Sequence, residues 1–152
     1  MRLPDRVEPG LVLKYGYLWS DEAESGREDG RKDRPAVVVL RREIVRNTLM
    51  VTVAAMTHSP PRAGQRPVMV PPAVKQRLGL DEQASWIVTH ELNTFVWPGP
   101  DLRPIGRLPG SADDRCFYGY IPNSLLRKIV QGIADNRAEQ RFKLVKRSFE
   151  GP

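Results

Sequence analysis

Six polar side chains sit where apolar segments of the chain start, stop or turn. Arg34 precedes Pro35 and the run Ala36 to Leu40. Thr57, His58 and Ser59 follow the apolar run Thr48 to Met56. His90 and Glu91 lie inside Trp86 to Val96. A guanidinium stays charged and grips two oxygens of an oxyanion at once. A hydroxyl donates a hydrogen bond. An imidazole, with an ordinary pKa of about 6.5, gives and takes protons near neutrality. Familiar signatures are absent: the chain has no P-loop, no dinucleotide fingerprint, no Gly-x-Ser-x-Gly elbow and no metal-ligand spacing. A single cysteine, Cys116, excludes an internal disulfide and a Cys-only zinc site, and two histidines argue against a His-rich metal centre. No metal or other cofactor is expected.

Each of these residues also has an ordinary structural reading. Arg34 before a strand is an exposed residue or the partner of an acid. Thr57 is a turn residue and His58 a loop histidine. His90 shares a face with Trp86, Val88 and Leu92, which suits a hydrogen-bonded core or interface histidine. Glu91 falls on the other face and reads as solvated. Cys116 reads as a packed small residue, with no base beside it. Trp19, Trp86 and Trp97 either stack on bases or pack.

The elements that must position these groups are short. Leu11, Leu13, Tyr15, Tyr17 and Trp19 alternate with more polar residues, a strand pattern. Ser20 to Arg34 holds six acids and four bases with no apolar period, and reads as a mobile loop. Within it, Arg31 and Lys32 are candidates to touch a polyanion backbone, although the segment's net charge of −2 (four bases less six acids) speaks against a simple phosphate strip. Ala36 to Leu40 and Thr48 to Met56 read as buried strands. Pro67 to Val70 predicts a short strand, Pro72 to Leu78 one or two helical turns closed by Gly79, and Trp86 to Val96 one or two strands. Pro98 to Arg115 reads as irregular. The convincing helix spans 122–137, with an apolar stripe of Leu125, Leu126, Ile129, Val130, Ile133 and Ala134 and with Pro122 at its first turn. Residues 138–152 form a polar basic tail that is either a short strand around Phe142 to Val145 or disordered.

The 152 residues fit one domain, expected over 1–137 with the tail at 138–152. With 14 prolines and 12 glycines, a mainly β class is expected: about five to seven short strands curled into a small barrel, one helix against its side. The net charge of +6 permits a polyanionic partner without demanding one. No apolar run reaches the roughly 18 residues of a membrane span, and the charged first ten residues do not read as a signal peptide, so a cytoplasmic protein is expected.

Taken in order, several segments resemble the PemK/MazF family of growth-inhibitor toxins. They are the Pro9-Gly10-Leu11-Val12 opening, Gly26-x-Glu28, Arg34-Pro35 leading an apolar strand, and Ala55-Met56-Thr57-His58-Ser59. Leu78-Gly79-Leu80, Ser85-Trp86-Ile87-Val88 and the late amphipathic helix continue the likeness. The resemblance implies an SH3-like barrel that forms a homodimer. It also implies a metal-independent endoribonuclease that cuts single-stranded RNA such as mRNA and is silenced by an antitoxin protein. It carries a functional role onto Arg34 and Thr57. His90-Glu91 stands where the family has a different polar pair, a departure that leaves the role there open.

Such cleavage needs a base for the 2′-hydroxyl, a cation for the phosphorane oxygens and an acid for the leaving 5′-oxygen. Arg34 and Thr57 suit the second task, and His58 and His90 the proton transfers, with Arg31, Lys32, Ser59 and Glu91 as RNA contacts. The alternatives are a protein-binding module on the same barrel, or a relative that has lost catalysis.

Overall fold

The computed structural model describes residues 1–20, 32–44, 46–60, 62–106 and 113–147. The elements in chain order are β1 (Leu11–Tyr17), β2 (Lys32–Ile44), β3 (Thr48–Thr57), β4 (Val68–Met69), α1 (Pro72–Arg77), β5 (Trp86–Ile87), β6 (Glu91–Val96), β7 (Phe117–Tyr120), α2 (Asn123–Ala138) and β8 (Lys143–Lys146). The mainly β class with one long C-terminal helix is as expected, and the sheet curls into a half-barrel. Among the described residues the strands number eight rather than five to seven, because β7 was unforeseen. Phe117–Tyr120 contains a glycine and keeps its side chains only partly covered, so it carries no alternation to read.

The central pair is β2 against β3, antiparallel from Ala36 opposite Ala55 to Ile44 opposite Thr48, with a bulge between Val38 and Leu40. A bulge lets a long strand bend and turns the sheet onto itself. β1 flanks β2, and β7 flanks β1. Both faces of these strands are buried. On one face Leu13, Tyr15, Tyr17, Val38, Val53 and Phe95 pack together. On the other, Val12, Val37, Ala54 and Met56 meet Val74 of α1 and Leu125 and Ile129 of α2. Coverage of both faces explains why these strands read as nearly continuous apolar runs.

β3 changes partner along its outer edge. Met50 to Val53 pair with β6, whereas Met56 and Thr57 pair with β5. Trp86 to Val96 is therefore two strands, joined by a bend at Val88 to His90. Helix α2 lies against this bend. Its buried residues are Leu125, Ile129, Gly132 and Asn136, a narrower stripe than expected, and Val130 is exposed. A Cβ at Gly132 would lie 3.1 Å from the Thr89 side chain and 3.2 Å from the Arg66 carbonyl, so glycine is what lets the helix approach this closely. One turn on, Asn136 donates to Thr89 Oγ1 (2.9 Å) and to the Gln65 carbonyl (3.0 Å).

After α2 the chain forms β8, which runs parallel to β6. Arg147, expected in a solvated basic tail, is buried instead, at 2% exposure. Its guanidinium pairs with Asp101 (3.0 Å), donates to the Gly16 carbonyl (2.7 Å) and faces the Tyr15 ring. The cation is tolerated because a carboxylate and a carbonyl replace its water. Asp101 and Leu102, in the stretch expected to be irregular, are buried, and Leu102 bridges to Tyr15. Removing one member of a buried pair typically costs about 3–5 kcal/mol. Asp101→Ala is expected to lower the unfolding free energy by about that amount, read as a fall in the urea midpoint with an unchanged slope.

Candidate active site

The β2–β3 register decides where Arg34 and Thr57 lie. Ala36 stands opposite Ala55. Arg34 lies two residues before Ala36 on β2 and Thr57 two residues after Ala55 on β3, so both fall at the same end of the pair. Both line a cavity of about 390 Å³, together with Ser59, His90 and Glu91. Trp19 and Trp86 supply its aromatic walls, and Arg62 also opens onto it.

Arg34 is half-buried within β2 and lies opposite Tyr15 of β1. Its guanidinium carbon sits 5.4 Å from the centre of the Trp19 ring, within the range of a cation–π contact. Stacking on Trp19 limits the conformations that the long side chain samples. Thr57 Oγ1 accepts a hydrogen bond from the Ser59 backbone N–H (3.1 Å). With an acceptor position filled in this way, the hydroxyl proton remains to be donated. His90 stands at the bend between β5 and β6. Burial holds its imidazole below the ordinary range, with Arg62 acting in the same direction and Glu91 against it. The ring is therefore neutral at pH 7.

Glu91 is buried at 6% exposure, not solvated as its position in the alternation suggested. Its carboxylate accepts from the Ser20 N–H (2.9 Å) and hydroxyl (2.6 Å). Beside it the Asn93 side chain exchanges hydrogen bonds with the Leu18 backbone, and the Tyr17 hydroxyl donates to the Glu91 carbonyl (3.0 Å). These contacts clamp the exit of β1, with Trp19, onto the start of β6, with His90.

His58 is not brought to the cavity. Its Nε2 lies 2.9 Å from Asp81, and the side chain is 41% exposed. Asp81 is also held by Lys75, a buried ammonium that donates to the Asp81 carboxylate (2.6 Å), to the Ser85 hydroxyl (2.6 Å) and to the Gln83 carbonyl. The Lys75 ammonium is the main reason that the Asp81 carboxyl sits below its usual range. Lys32 is exposed at the open end of β2, opposite Tyr17, and does not line the cavity. Arg31 and most of the expected loop, residues 21–31, lie outside the described residues; Lys32 to Arg34 already belong to β2. Burial pushes the Cys116 thiol up, which fits a packed residue and not a nucleophile. Among the described residues no three His, Cys, Asp or Glu side chains gather as a metal-ligand set, and no helix is long and apolar enough to cross a membrane.

A family model of the PemK-like, MazF-like toxins of type II toxin–antitoxin systems matches residues 17–111. The chain belongs to this family. No individual curated protein matches it. The matched span, more than half of the chain, contains Arg34, Thr57, His58, Ser59, His90 and Glu91. Most of β1 and all of β7, α2 and β8 lie outside it. Family membership supports a toxin function.

Two cavity residues and one buried cation outside the cavity drew no attention in the sequence. Arg62 and Gln65 sit in a Pro- and Gly-bearing loop, where nothing local marks them. Lys75 lies in an amphipathic helical turn, and its burial follows from the fold of 81–85 around it. Lys75→Met is expected to leave the Ser85 hydroxyl oxygen without its donor and the Gln83 carbonyl with the Ser85 hydroxyl alone, and to cost about 1–3 kcal/mol, measured by thermal or urea unfolding.

Proposed function

We propose that the protein is an endoribonuclease that cleaves single-stranded RNA without a metal, acts as a homodimer and is restrained by an antitoxin partner. The observation that carries this reading is the meeting of Arg34, Thr57 and His90 in one cavity between aromatic walls.

Neutral His90 takes the proton of the ribose 2′-hydroxyl. The 2′-oxygen attacks phosphorus and forms the new P–O bond. Arg34 grips the non-bridging oxygens as their charge grows, and Thr57 donates a further hydrogen bond. The bond to the 5′-oxygen breaks with its electron pair, and that oxygen takes a proton from solvent. The products are a 2′,3′-cyclic phosphate and a 5′-hydroxyl. Trp19 and Trp86 offer stacking surfaces to the flanking bases.

This division of labour differs from the one that the sequence suggested, in which the two histidines share the proton transfers. His58, turned to Asp81 and Lys75, serves the wall of the molecule and not the reaction.

Arg34→Ala and His90→Ala are each expected to lower kcat about 10²–10⁴-fold, while His58→Ala stays within a few-fold of the parent. Gel analysis of end-labelled RNA, with and without a chelator, measures this and identifies the cyclic phosphate. RNA left intact by clean, folded parent protein that binds a protein partner tightly would favour the non-catalytic module. The pH profile carries a second expectation. A base is idle when protonated, so kcat/KM rises with pH through the pKa of His90. That pKa is lowered, so the limb lies on the acid side of about 6.5. In His90→Gln the limb disappears.

A further inference from the structure

A second cavity, of about 440 Å³, adjoins the first. Gln65, His90 and Glu91 line both. Its far wall is made by Gln140, Arg141, Phe142 and Lys143, from the turn after α2 and the first residue of β8. This wall lies outside the family match. The fold fixes it in place. The Lys143 N–H donates to the His90 carbonyl (3.0 Å), and the Arg141 N–H donates to the Asn136 carbonyl (2.8 Å). Arg141 and Lys143 are exposed, and among the described residues no carboxylate lies in ion-pair range of either. Other cations nearby are committed: Arg66 pairs with Glu139 and Asp135. Gly64, at φ +83°, leaves room for the Arg141 guanidinium, which occupies the space that a Cβ there would need.

Two uncommitted cations, an aromatic wall and amide side chains around a space that opens beside the proposed reacting centre form a recognisable set. The cations suit a phosphate, the Phe142 ring, on which Arg137 also sits at 5.8 Å, suits a base, and the Gln65 and Gln140 amides suit base edges, the Asn136 amide being committed to Gln65 and Thr89. An acidic peptide would use the cations alone. We propose that this cavity is a second nucleotide subsite, which holds the RNA residue one step beyond the two that flank the cleaved linkage and contacts its phosphate through Arg141 and Lys143. The inference rests on the ribonuclease reading given above and adds to it a contribution from the C-terminal segment.

The test uses the full chain and two single-stranded probes that carry 2′-O-methyl riboses and so cannot be cut: a fluorescent ten-nucleotide RNA of mixed sequence and a dinucleotide. Arg141→Ala/Lys143→Ala is expected to bind the ten-nucleotide probe about tenfold more weakly, with a log K against log salt slope shallower by about 0.7, as for one phosphate no longer neutralised. Binding of the dinucleotide stays at the parent value. With cleavable RNA of the longer length, KM rises while kcat holds. Arg127→Ala/Lys128→Ala, which removes equal charge from an exposed face of α2, serves as the control and leaves both affinities unchanged.

Equal binding of the long probe by the parent and the Arg141/Lys143 variant would overturn the subsite, while cutting by the parent keeps the ribonuclease reading. An equal loss for both probes, or a loss matched by the Arg127/Lys128 control, would also overturn it. If the variant loses binding to poly-glutamate but not to RNA, the cavity is a peptide site and the proposal fails. If the parent neither binds nor cuts RNA of either length, both readings fall together.

Discussion

The antiparallel register between β2 and β3 is the constraint on which the site depends. It fixes which residues of two distant apolar runs face each other, and it carries Arg34 and Thr57 to the same end of the central pair. Side chains alternate between faces along a strand, so a slip of one residue would send these two groups to opposite sides of the sheet. The buried faces on both sides of the pair penalise such a slip heavily. Core packing thus protects the geometry of two polar groups that contribute little to the core themselves.

The second constraint is the fork on the outer edge of β3. Because β5 takes the end of the strand and β6 its beginning, the chain between them must bend, and the bend presents His90 beside the Arg34–Thr57 end. The bend is supported from behind by Thr89, Asn136 and the close approach at Gly132. It is supported in front by the Glu91–Ser20 and Asn93–Leu18 contacts. Cation, hydroxyl and imidazole therefore come from β2, β3 and the β5–β6 bend, and their mutual placement is set by hydrogen bonds outside the cavity; for the proposed reaction this keeps the cost of ordering them out of the chemical step.

Much of this was legible in the sequence, for a physical reason. Strands buried on both faces need unbroken β-branched runs, and Ala36 to Leu40 and Thr48 to Met56 supply them. Polar residues at the ends of such runs stand out, as Arg34 and Thr57 did. What stayed hidden depends on partners far along the chain. Glu91 reads as a surface acid until Ser20, 71 residues away, satisfies it. Arg147 reads as part of a solvated tail until Asp101 and the Gly16 carbonyl receive it. His58, at the end of β3, pairs with Asp81, a carboxylate that Lys75 also holds, and this pairing with a residue 23 positions on leaves no local mark in the sequence. Edge strand β7 gave no alternation because its side chains are only partly covered on either face.

The burial of Arg147 bears on how the molecule is made. Vectorial synthesis delivers Arg34, Thr57 and His90 well before this guanidinium. It is Arg147, however, that ties the Gly16 carbonyl of β1, the Asn93 side chain of β6 and Asp101 to one centre. A nascent chain that has passed His90 therefore holds every group of the first cavity without the plug that binds its supporting strands. The contacts that join these supporting strands are complete only once residue 147 is in place.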